Sequence, residues 1–110
     1  MKLQLDELTG AYGREEFYRD KAKSTECKFL VCDGKNITEI NKTEGREAGD
    51  EILCEIVRRL AEAYPKVYRL NGDMFAVLVN EEREVALEDI AHVSVAETLN
   101  EALRRVKEVS

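Results

Sequence analysis

Basic residues are too few in this sequence for a nucleic-acid-binding surface. The 110 residues include 17 Lys and Arg against 23 Asp and Glu, a formal net charge of -6, whereas binding to nucleic acid needs a basic stripe that displaces counterions from phosphates. Long apolar segments are also absent, because no run approaches the ~20 residues of a membrane span and the N-terminus lacks the apolar core of a signal peptide. We therefore expect a cytoplasmic protein without nucleic-acid or membrane partners.

Proline is scarce as well. The single Pro and the lack of any low-complexity tract leave no linker, so residues 1–110 are expected to form one domain with one core. Cys27, Cys32 and Cys54 are odd in number and lack the spacing of metal ligands. They are expected to be reduced and mostly buried thiols.

The most informative segment that is present spans residues 66–79, KVYRLNGDMFAVLV. Two apolar runs rich in β-forming residues flank Asn71 and Gly72, which predicts a two-residue type I′ hairpin with positive φ at both positions. Asp73 follows directly and would carry a carboxylate at a rigid hairpin tip. Such a carboxylate either holds a metal ion or simply flanks the turn, as Asp often does.

Periodicity predicts the elements that precede the hairpin. Residues 13–23 favour a short helix with Phe17 and Ala22 as its apolar positions. Residues 28–32 favour a strand that is covered on both faces. Residues 36–41 favour a single turn of helix. The longest helix lies between Gly45 and Pro65. Its core-facing stripe recurs at three- and four-residue spacing and comprises Ala48, Ile52, Leu53, Ile56, Val57, Leu60 and Ala61.

The segments after the hairpin predict a further strand and a last helix. Residues 81–90 favour either a short helix or a loosely alternating strand, and residues 92–96 alternate as a strand. Thr98 and Glu101 have the spacing of a capping box. The helix that follows has the stripe Leu99, Ala102, Leu103 and Val106. The order α-β-α-β-β-(α)-β-α predicts an α+β fold, an antiparallel sheet backed by helices in a ferredoxin-like arrangement.

Four segments resemble the motifs of the GGDEF domain, the diguanylate cyclase family. Residues 6–17 (DELTGAYGREEF) are similar to the family's opening DxLTGxxNRRxF, and residues 33–41 (DGKNITEIN) to DIDxFKxIN. Residues 45–50 (GREAGD) are similar to GHxxGD, and residues 69–75 (RLNGDMF) to the signature RxGGDEF. The resemblance implies a palm-type sheet related to that of the nucleotidyl cyclases, and an enzyme family that joins two GTP molecules into cyclic di-GMP.

The resemblance also implies a metal site. Asp33 and Asp73 match the two family positions that hold Mg²⁺, and hard oxygen ligands suit that ion. Without the resemblance, Asp33 would be read as the end of a strand and Asp73 as a turn residue. With it, we expect a weak, inherited Mg²⁺ site.

A nucleotide site is implied in the same way. Asn41 and Asp50 match the pair that reads guanine, while Asn71 and Gly72 lie in the signature turn. Lys107 matches a phosphate-contacting Lys. The alternatives are that Asp50 complements a helix dipole in the first turn and that Lys107 does so in the last.

Several departures from the family pattern indicate a degenerate and C-terminally shortened member. Met74 stands where the signature has Glu, Lys35 replaces the second acid of DxD and Arg46 replaces His. The inhibitory RxxD motif is missing at residues 62–65, EAYP. The only histidine, His92, is expected to pack in a strand.

Three functional hypotheses follow. The favoured one is a noncatalytic signalling module that binds GTP or a protein, with a sensor or other signalling domain as its partner. A homodimer is compatible with this hypothesis. The second is an active diguanylate cyclase, in which each of two domains presents one GTP whose 3′-hydroxyl attacks the other's α-phosphate. The third is a structural domain without nucleotide affinity.

Overall fold

The computed structural model describes residues 5–109, and within them the chain forms four helices and four strands in an α+β arrangement. In chain order these elements are α1 Arg14–Lys23, β1 Lys28–Gly34, α2 Ile37–Glu44, α3 Arg46–Ala63, β2 Tyr68–Asn71, β3 Met74–Val79, β4 Ala91–Ala96 and α4 Leu99–Val109. No helix in this described range is long and apolar enough to cross a bilayer.

The strands form one antiparallel sheet in the order β2-β3-β1-β4, which confirms the predicted fold class. β1 lies inside the sheet because both of its faces are apolar. Leu30 and Cys32 point into one core cluster, and Phe29 and Val31 point into a second cluster on the opposite face. The predicted two-sided strand is therefore confirmed, and it continues two residues further, to Gly34.

Helices cover both faces of the sheet. The stripe of α3 supplies Leu53, Ile56, Val57 and Leu60 to the first cluster. Phe17 of α1 joins the second cluster, together with three residues of α4, Leu99, Ala102 and Val106. These stripes bury apolar surface on one side of each helix. Burial of apolar surface is the main favourable contribution to the free energy of folding.

Two residues of the predicted stripes are not buried. Ala22 of α1 and Ala61 of α3 are exposed. Five residues of helix rotate Ala22 by about 140° from Phe17, so it lies on the solvent side of α1. Ala61 lies beyond the edge of a stripe that Leu60 already completes.

The segment between β3 and β4 forms neither of the predicted elements. Residues 81–90 contain no helix or strand, only a turn at residues 88–90. Leu87 is 1% exposed and anchors the segment in the core. Arg59 of α3 holds it from outside, with Nη1 2.8 Å from Asp89 Oδ1. The buried leucine and the ion pair help to fix the segment, which has no repeating hydrogen-bond pattern.

The hairpin is present, but the predicted type I′ turn at Asn71 and Gly72 is wrong. Asn71 pairs with Met74 as the last residue of β2, so the two loop residues are Gly72 and Asp73. In residues 5–109, positive φ occurs only at Gly10, Asn36 and Gly45. A register shift between Arg69 and Asn71 precedes this loop, and such shifts bend a strand and increase its local twist.

The last helix begins as predicted. The backbone N–H of Glu101 donates to Thr98 Oγ1 at 3.2 Å, which is one half of the capping box. The Glu101 carboxylate does not return to Thr98 and instead pairs with Arg104 and Arg105.

Candidate functional site

Asp33 and Asp73 converge at one end of the sheet. The backbone brings them together, because Gly34 N–H donates to the Asp73 carbonyl at 2.9 Å and so extends the β1–β3 ladder into the hairpin loop. Burial, and then the nearby Asp73 carboxylate, raise the pKa of Asp33 to about 6. The two carboxylates therefore lie close enough to repel each other, in a place where a cation would relieve the repulsion.

The chemistry of this pair fits one hard divalent cation. In the described part of the chain, Asp33 Oδ1 is the one buried side-chain polar atom without a hydrogen-bond partner, and such an atom is costly unless something binds it. Carboxylate oxygens are ligands that Mg²⁺ prefers, with water or phosphate completing the octahedron. Residues 5–109 offer no group of three or more His, Cys, Asp or Glu for a metal, so the protein would supply two ligands.

Met74 and His92 flank Asp33 across the sheet. In the strand register Asp33 lies opposite Met74 of β3 and opposite His92 of β4, and directly opposed residues share a face. Met74 is only 7% exposed and belongs to the second core cluster. The residue after Asp73 therefore contributes apolar packing beside Asp33, where a carboxylate would have added a third charge.

The hairpin tip is braced from the side by Arg69. Its guanidinium donates to the Gly72 carbonyl from Nε at 3.1 Å and from Nη2 at 2.5 Å. Nη1 lies 3.0 and 2.9 Å from the two carboxylate oxygens of Asp6. One cationic side chain thus fixes the turn and joins it to the segment that precedes α1.

Asp6 is itself held by its neighbours. It accepts hydrogen bonds from Thr9 N–H at 2.8 Å and Thr9 Oγ1 at 2.7 Å. Burial alone would raise the pKa of Asp6, but these bonds and Arg69 outweigh it and hold that pKa below its ordinary value. Sequence reasoning gave neither Asp6 nor Arg69 a role. The available signal was the Asp-x-x-Thr spacing, which is typical of a carboxylate that caps its own turn.

The residues predicted to read guanine lie together where α2 passes into α3. A Cβ built on Gly49 would fall 1.9 Å from Asn41 Oδ1, so the Asn41 amide lies directly against the Gly49 backbone. Asp50 is the next residue and is partly exposed. The amide therefore lies against the residue that precedes the carboxylate, at a glycine that leaves it room.

Asp50 also lies near the Arg69 brace. One turn further along α3, Cys54 donates from Sγ to the Leu8 carbonyl at 3.2 Å. Burial, and then the charges of Asp50 and Asp6, raise the pKa of this thiol. The start of α3, the N-terminal turn and the hairpin therefore form one continuous region.

The other predicted site residues are more scattered. Asn71 and Gly72 are exposed at the hairpin tip. Lys107 lies in the last turn of α4, a helix that runs alongside β4, where Ser94 Oγ donates to the Ala102 carbonyl at 2.6 Å. Lys35 directs its ammonium to the Glu88 carbonyl, and thus towards residues 88–90.

The three cysteines are free, as the sequence indicated. Only Cys32 is fully buried, and burial followed by the charge of Asp33 raises its pKa to about 12. Cys27 and Cys54 are partly exposed, so the prediction of mostly buried thiols holds for one of the three.

Curated relatives of this chain are diguanylate cyclases. It is 38% identical over 101 residues to the probable diguanylate cyclase DgcI of Escherichia coli, covering 83% of this chain and 23% of that protein. It is 40% identical over 86 residues to diguanylate cyclase DgcN of Escherichia coli, covering 67% of this chain and 21% of that protein. The chain spans less than a quarter of the length of these two relatives.

Solved structures show the same fold. A microbial GGDEF domain, studied for its interaction with cyclic di-GMP, superposes with a TM-score of 0.71 at 23% identity, covering 97% of this chain and 90% of that one. The family profile described as "Diguanylate cyclase, GGDEF domain" matches residues 4–109. Because this match covers nearly the whole sequence, the chain belongs to the GGDEF domain family.

Proposed function

We propose that this chain is a noncatalytic GGDEF domain that binds GTP together with one Mg²⁺ and acts as a regulatory module in cyclic di-GMP signalling. The observation that carries the proposal is the convergence of Asp33 and Asp73 beside the buried side chain of Met74. Two carboxylates are retained where a cation would lie, and the neighbouring position has become part of the core. Residues 1–110 act as one domain, linked in the cell to a sensor or another signalling domain.

The metal site consists of Asp33 and Asp73. When bound there, Mg²⁺ would supply positive charge that neutralises the triphosphate of the nucleotide. Asp33 offers the buried oxygen that lacks a hydrogen-bond partner, and Asp73 offers a carboxylate from the braced hairpin loop. With two protein ligands, the affinity for the ion should be modest.

The base is read by Asn41 and Asp50. An amide can donate to and accept from the Watson–Crick edge of guanine, and a carboxylate can accept from its N–H groups. Adenine lacks the matching pattern of donors and acceptors, so this pair gives a preference for GTP. The phosphates would lie nearest the exposed hairpin tip at Asn71 and Gly72. Lys107 would contribute at most a weak electrostatic attraction from the end of α4.

An active diguanylate cyclase is the second candidate. The retention of Asp33, Asp73, Asn41 and Asp50 favours it, and so does the identity to relatives named as diguanylate cyclases. Activity would require two copies to present their nucleotides to each other. The buried Met74 argues against it, because a core side chain cannot take part in metal or proton chemistry at that position.

Thermal unfolding with nucleotides tests the proposal. A ligand present at a hundred times its dissociation constant stabilises the native state by about 2.7 kcal/mol, which raises Tm by roughly 10 °C or more in a domain of this size. We expect GTP with Mg²⁺ to raise Tm and ATP with Mg²⁺ to have little effect. Asp73→Ala and Asp50→Ala should abolish the GTP effect, while Glu81→Ala, a carboxylate removed from an exposed loop, should leave it unchanged.

Product analysis separates the two candidates. After long incubation with GTP and Mg²⁺, we expect no cyclic di-GMP above the level produced by Asp73→Ala. Formation of cyclic di-GMP by the unmodified chain, lost in that variant, would replace our proposal by the second candidate. If millimolar GTP does not change Tm, the remaining hypothesis is a structural domain without nucleotide affinity.

A further inference from the structure

β4 is an open edge of the sheet. On its inner side it pairs with β1, and among residues 5–109 no strand pairs with its outer side. The opposite edge is covered, because Tyr12 bridges β2, with Arg69 N–H donating to the Tyr12 carbonyl at 2.7 Å. The sheet is therefore protected at one edge only.

The hydrogen-bond pattern shows which groups of β4 point outward. Lys35 N–H donates to the Ile90 carbonyl at 2.8 Å. The backbone carbonyl of Ile90, the residue before β4, therefore points towards β1. In an antiparallel ladder every second residue repeats this orientation. It follows that the backbone groups of His92, Ser94 and Ala96 face β1, while those of Ala91, Val93 and Val95 face away from it.

Two contacts cover the ends of this outer edge. Ala91 N–H donates to the Leu87 carbonyl at 2.8 Å, and Arg105 Nη1 donates to the Val95 carbonyl at 3.3 Å. Between them lie the N–H and C=O of Val93, the C=O of Ala91 and the N–H of Val95. These four groups form a short window that is symmetric about Val93.

The chemistry of the window suits a second copy of the same chain. Exposed edge strands usually carry charges, Pro or a bulge that prevents pairing. β4, AHVSVA, has no Asp, Glu, Lys or Arg although the chain has a net charge of -6, and its register with β1 runs without a shift. Within residues 91–96, two copies can thus pair without placing like charges opposite each other.

We propose that two copies of this chain pair antiparallel through β4, with Val93 on the two-fold axis. Each Val93 N–H donates to the Val93 carbonyl of the other copy. Each Val95 N–H donates to the Ala91 carbonyl of the other copy. The result is an isologous interface with four backbone hydrogen bonds and a continuous eight-stranded sheet.

Side chains match in the same register. On one face His92 lies opposite Ser94 of the other copy, and Ser94 Oγ already donates to the Ala102 carbonyl, so its lone pairs can accept a hydrogen bond from the imidazole. On the other face the two Val93 side chains meet, flanked by the buried Ala91 and the partly buried Val95. A strand with charged residues at these positions would not fit as well.

The dimer should be weak and independent of nucleotide. Its four hydrogen bonds and narrow apolar strip bury less than the roughly 1,200 Å² of a standard stable interface, which favours dissociation constants in the micromolar range or above. The dimer uses none of the groups assigned to GTP binding. If the dimer does not form, the proposed function is unaffected, and if GTP does not bind, the proposed dimer is unaffected.

Sedimentation equilibrium of the full chain over a wide range of concentrations tests the pairing. Val93→Lys places two ammonium groups against each other on the axis and should raise the dimer dissociation constant at least about tenfold. The control Val109→Lys changes an equally apolar side chain that is 59% exposed at the end of α4, and should leave dimerisation unchanged. Circular dichroism checks that both variants fold.

Amide hydrogen exchange of the unmodified chain gives an independent test. We expect the Val93 and Val95 amides to exchange fast when dilute and slowly when concentrated, while the His92 and Ser94 amides are protected throughout. A monomer at all concentrations would overturn the proposal. So would protection of Val93 that does not depend on concentration, or a dimer that Val93→Lys does not weaken.

Discussion

Arg69 and Asp6 are 63 residues apart in the sequence, and the Arg69 guanidinium contacts both oxygens of the Asp6 carboxylate, at 3.0 and 2.9 Å. The same guanidinium donates to the carbonyl of Gly72 at the hairpin tip. Thr9 holds Asp6 in place from its own turn. The position of the hairpin loop that carries Asp73 therefore depends on the segment that precedes α1.

Removing this brace should destabilise both the fold and the site. Arg69→Ala leaves a partly buried carboxylate without its cation and frees the hairpin loop, so we expect a loss of about 1–3 kcal/mol in the free energy of unfolding. Urea denaturation measures the loss. We also expect a smaller GTP-induced rise in Tm, because Asp73 is less well positioned.

Arg104→Ala is the matched control. Arg104 also contacts two acceptors, Glu101 and Glu108, but it is 57% exposed on the surface of α4, where ion pairs contribute about 0–1 kcal/mol. Equal losses in the two variants would mean that the Arg69 contacts are ordinary surface pairs.

The raised pKa of Asp33 predicts a pH-dependent cost in the metal-free protein. Its pKa of about 6 lies above the ordinary value of 3.8, so the folded state favours the protonated carboxyl and loses stability as the pH rises from about 4 to above 6. Asp33→Asn removes that cost. With a chelator present, it should be more stable than the unmodified chain by about 1 kcal/mol near neutral pH, after allowance for solvent screening.

The difference should vanish below about pH 3, where Asp33 is protonated in both the folded and the unfolded chain. Asp89→Asn is a control with the opposite sign, because Arg59 lowers the pKa of Asp89. That variant should be less stable than the unmodified chain near neutral pH. A constant stability gain of Asp33→Asn across the whole range would exclude titration of Asp33 as its cause.

The fold could be predicted because strong local patterns agree with it. β1 is a continuous apolar run and α3 carries one broad apolar stripe, so their places in the interior follow from the apolar pattern of the sequence. The turn at Gly72 and Asp73 could not be predicted in this way. A register shift in β2 and the contact of the Arg69 side chain with Gly72 decide its geometry, and neither is visible in a dipeptide.

The site was predictable only through the resemblance to the family. The resemblance indicated Asp33 and Asp73, and the structure brings them together, while their role as metal ligands stays a prediction. The Asp6 contact with Arg69 joins two segments far apart in sequence, which local patterns cannot reveal. Residues 81–90 were ambiguous between helix and strand because one buried residue, Leu87, anchors them without any period.

Restoring the signature glutamate tests what Met74 does. Met74→Glu buries a carboxyl among apolar side chains next to two others, so in a chelator we expect it to lower the free energy of unfolding by about 2–4 kcal/mol. Saturating Mg²⁺ should recover part of this loss, because a third carboxylate strengthens the cation site. Thermal unfolding with and without Mg²⁺ measures both effects.

Met74→Leu keeps the volume of the side chain and should cost less than about 1.5 kcal/mol, with the same Mg²⁺ dependence as the unmodified chain. If Mg²⁺ stabilises Met74→Glu no more than Met74→Leu, the hairpin tip is not a metal site.

A substitution at Gly49 can test guanine recognition separately from the stability of the fold. A Cβ at this position would fall 1.9 Å from Asn41 Oδ1, but Asn41 is exposed and can swing away. Because Ala also has a higher helix propensity than Gly, Gly49→Ala should leave the stability without nucleotide unchanged or raise it by up to about 1 kcal/mol. The displaced amide can no longer meet guanine, so the GTP-induced rise in Tm should fall to the level of Asn41→Ala.

The double variant Gly49→Ala/Asn41→Ala is the decisive comparison, since two changes that act through the same contact are not additive. We expect it to bind GTP as weakly as either single variant, by titration calorimetry and by thermal shift. Full GTP affinity in Gly49→Ala would show that the Asn41 amide does not read the base. A further loss in the double variant would mean that Gly49 acts on the nucleotide by a route other than Asn41, such as close approach of its backbone.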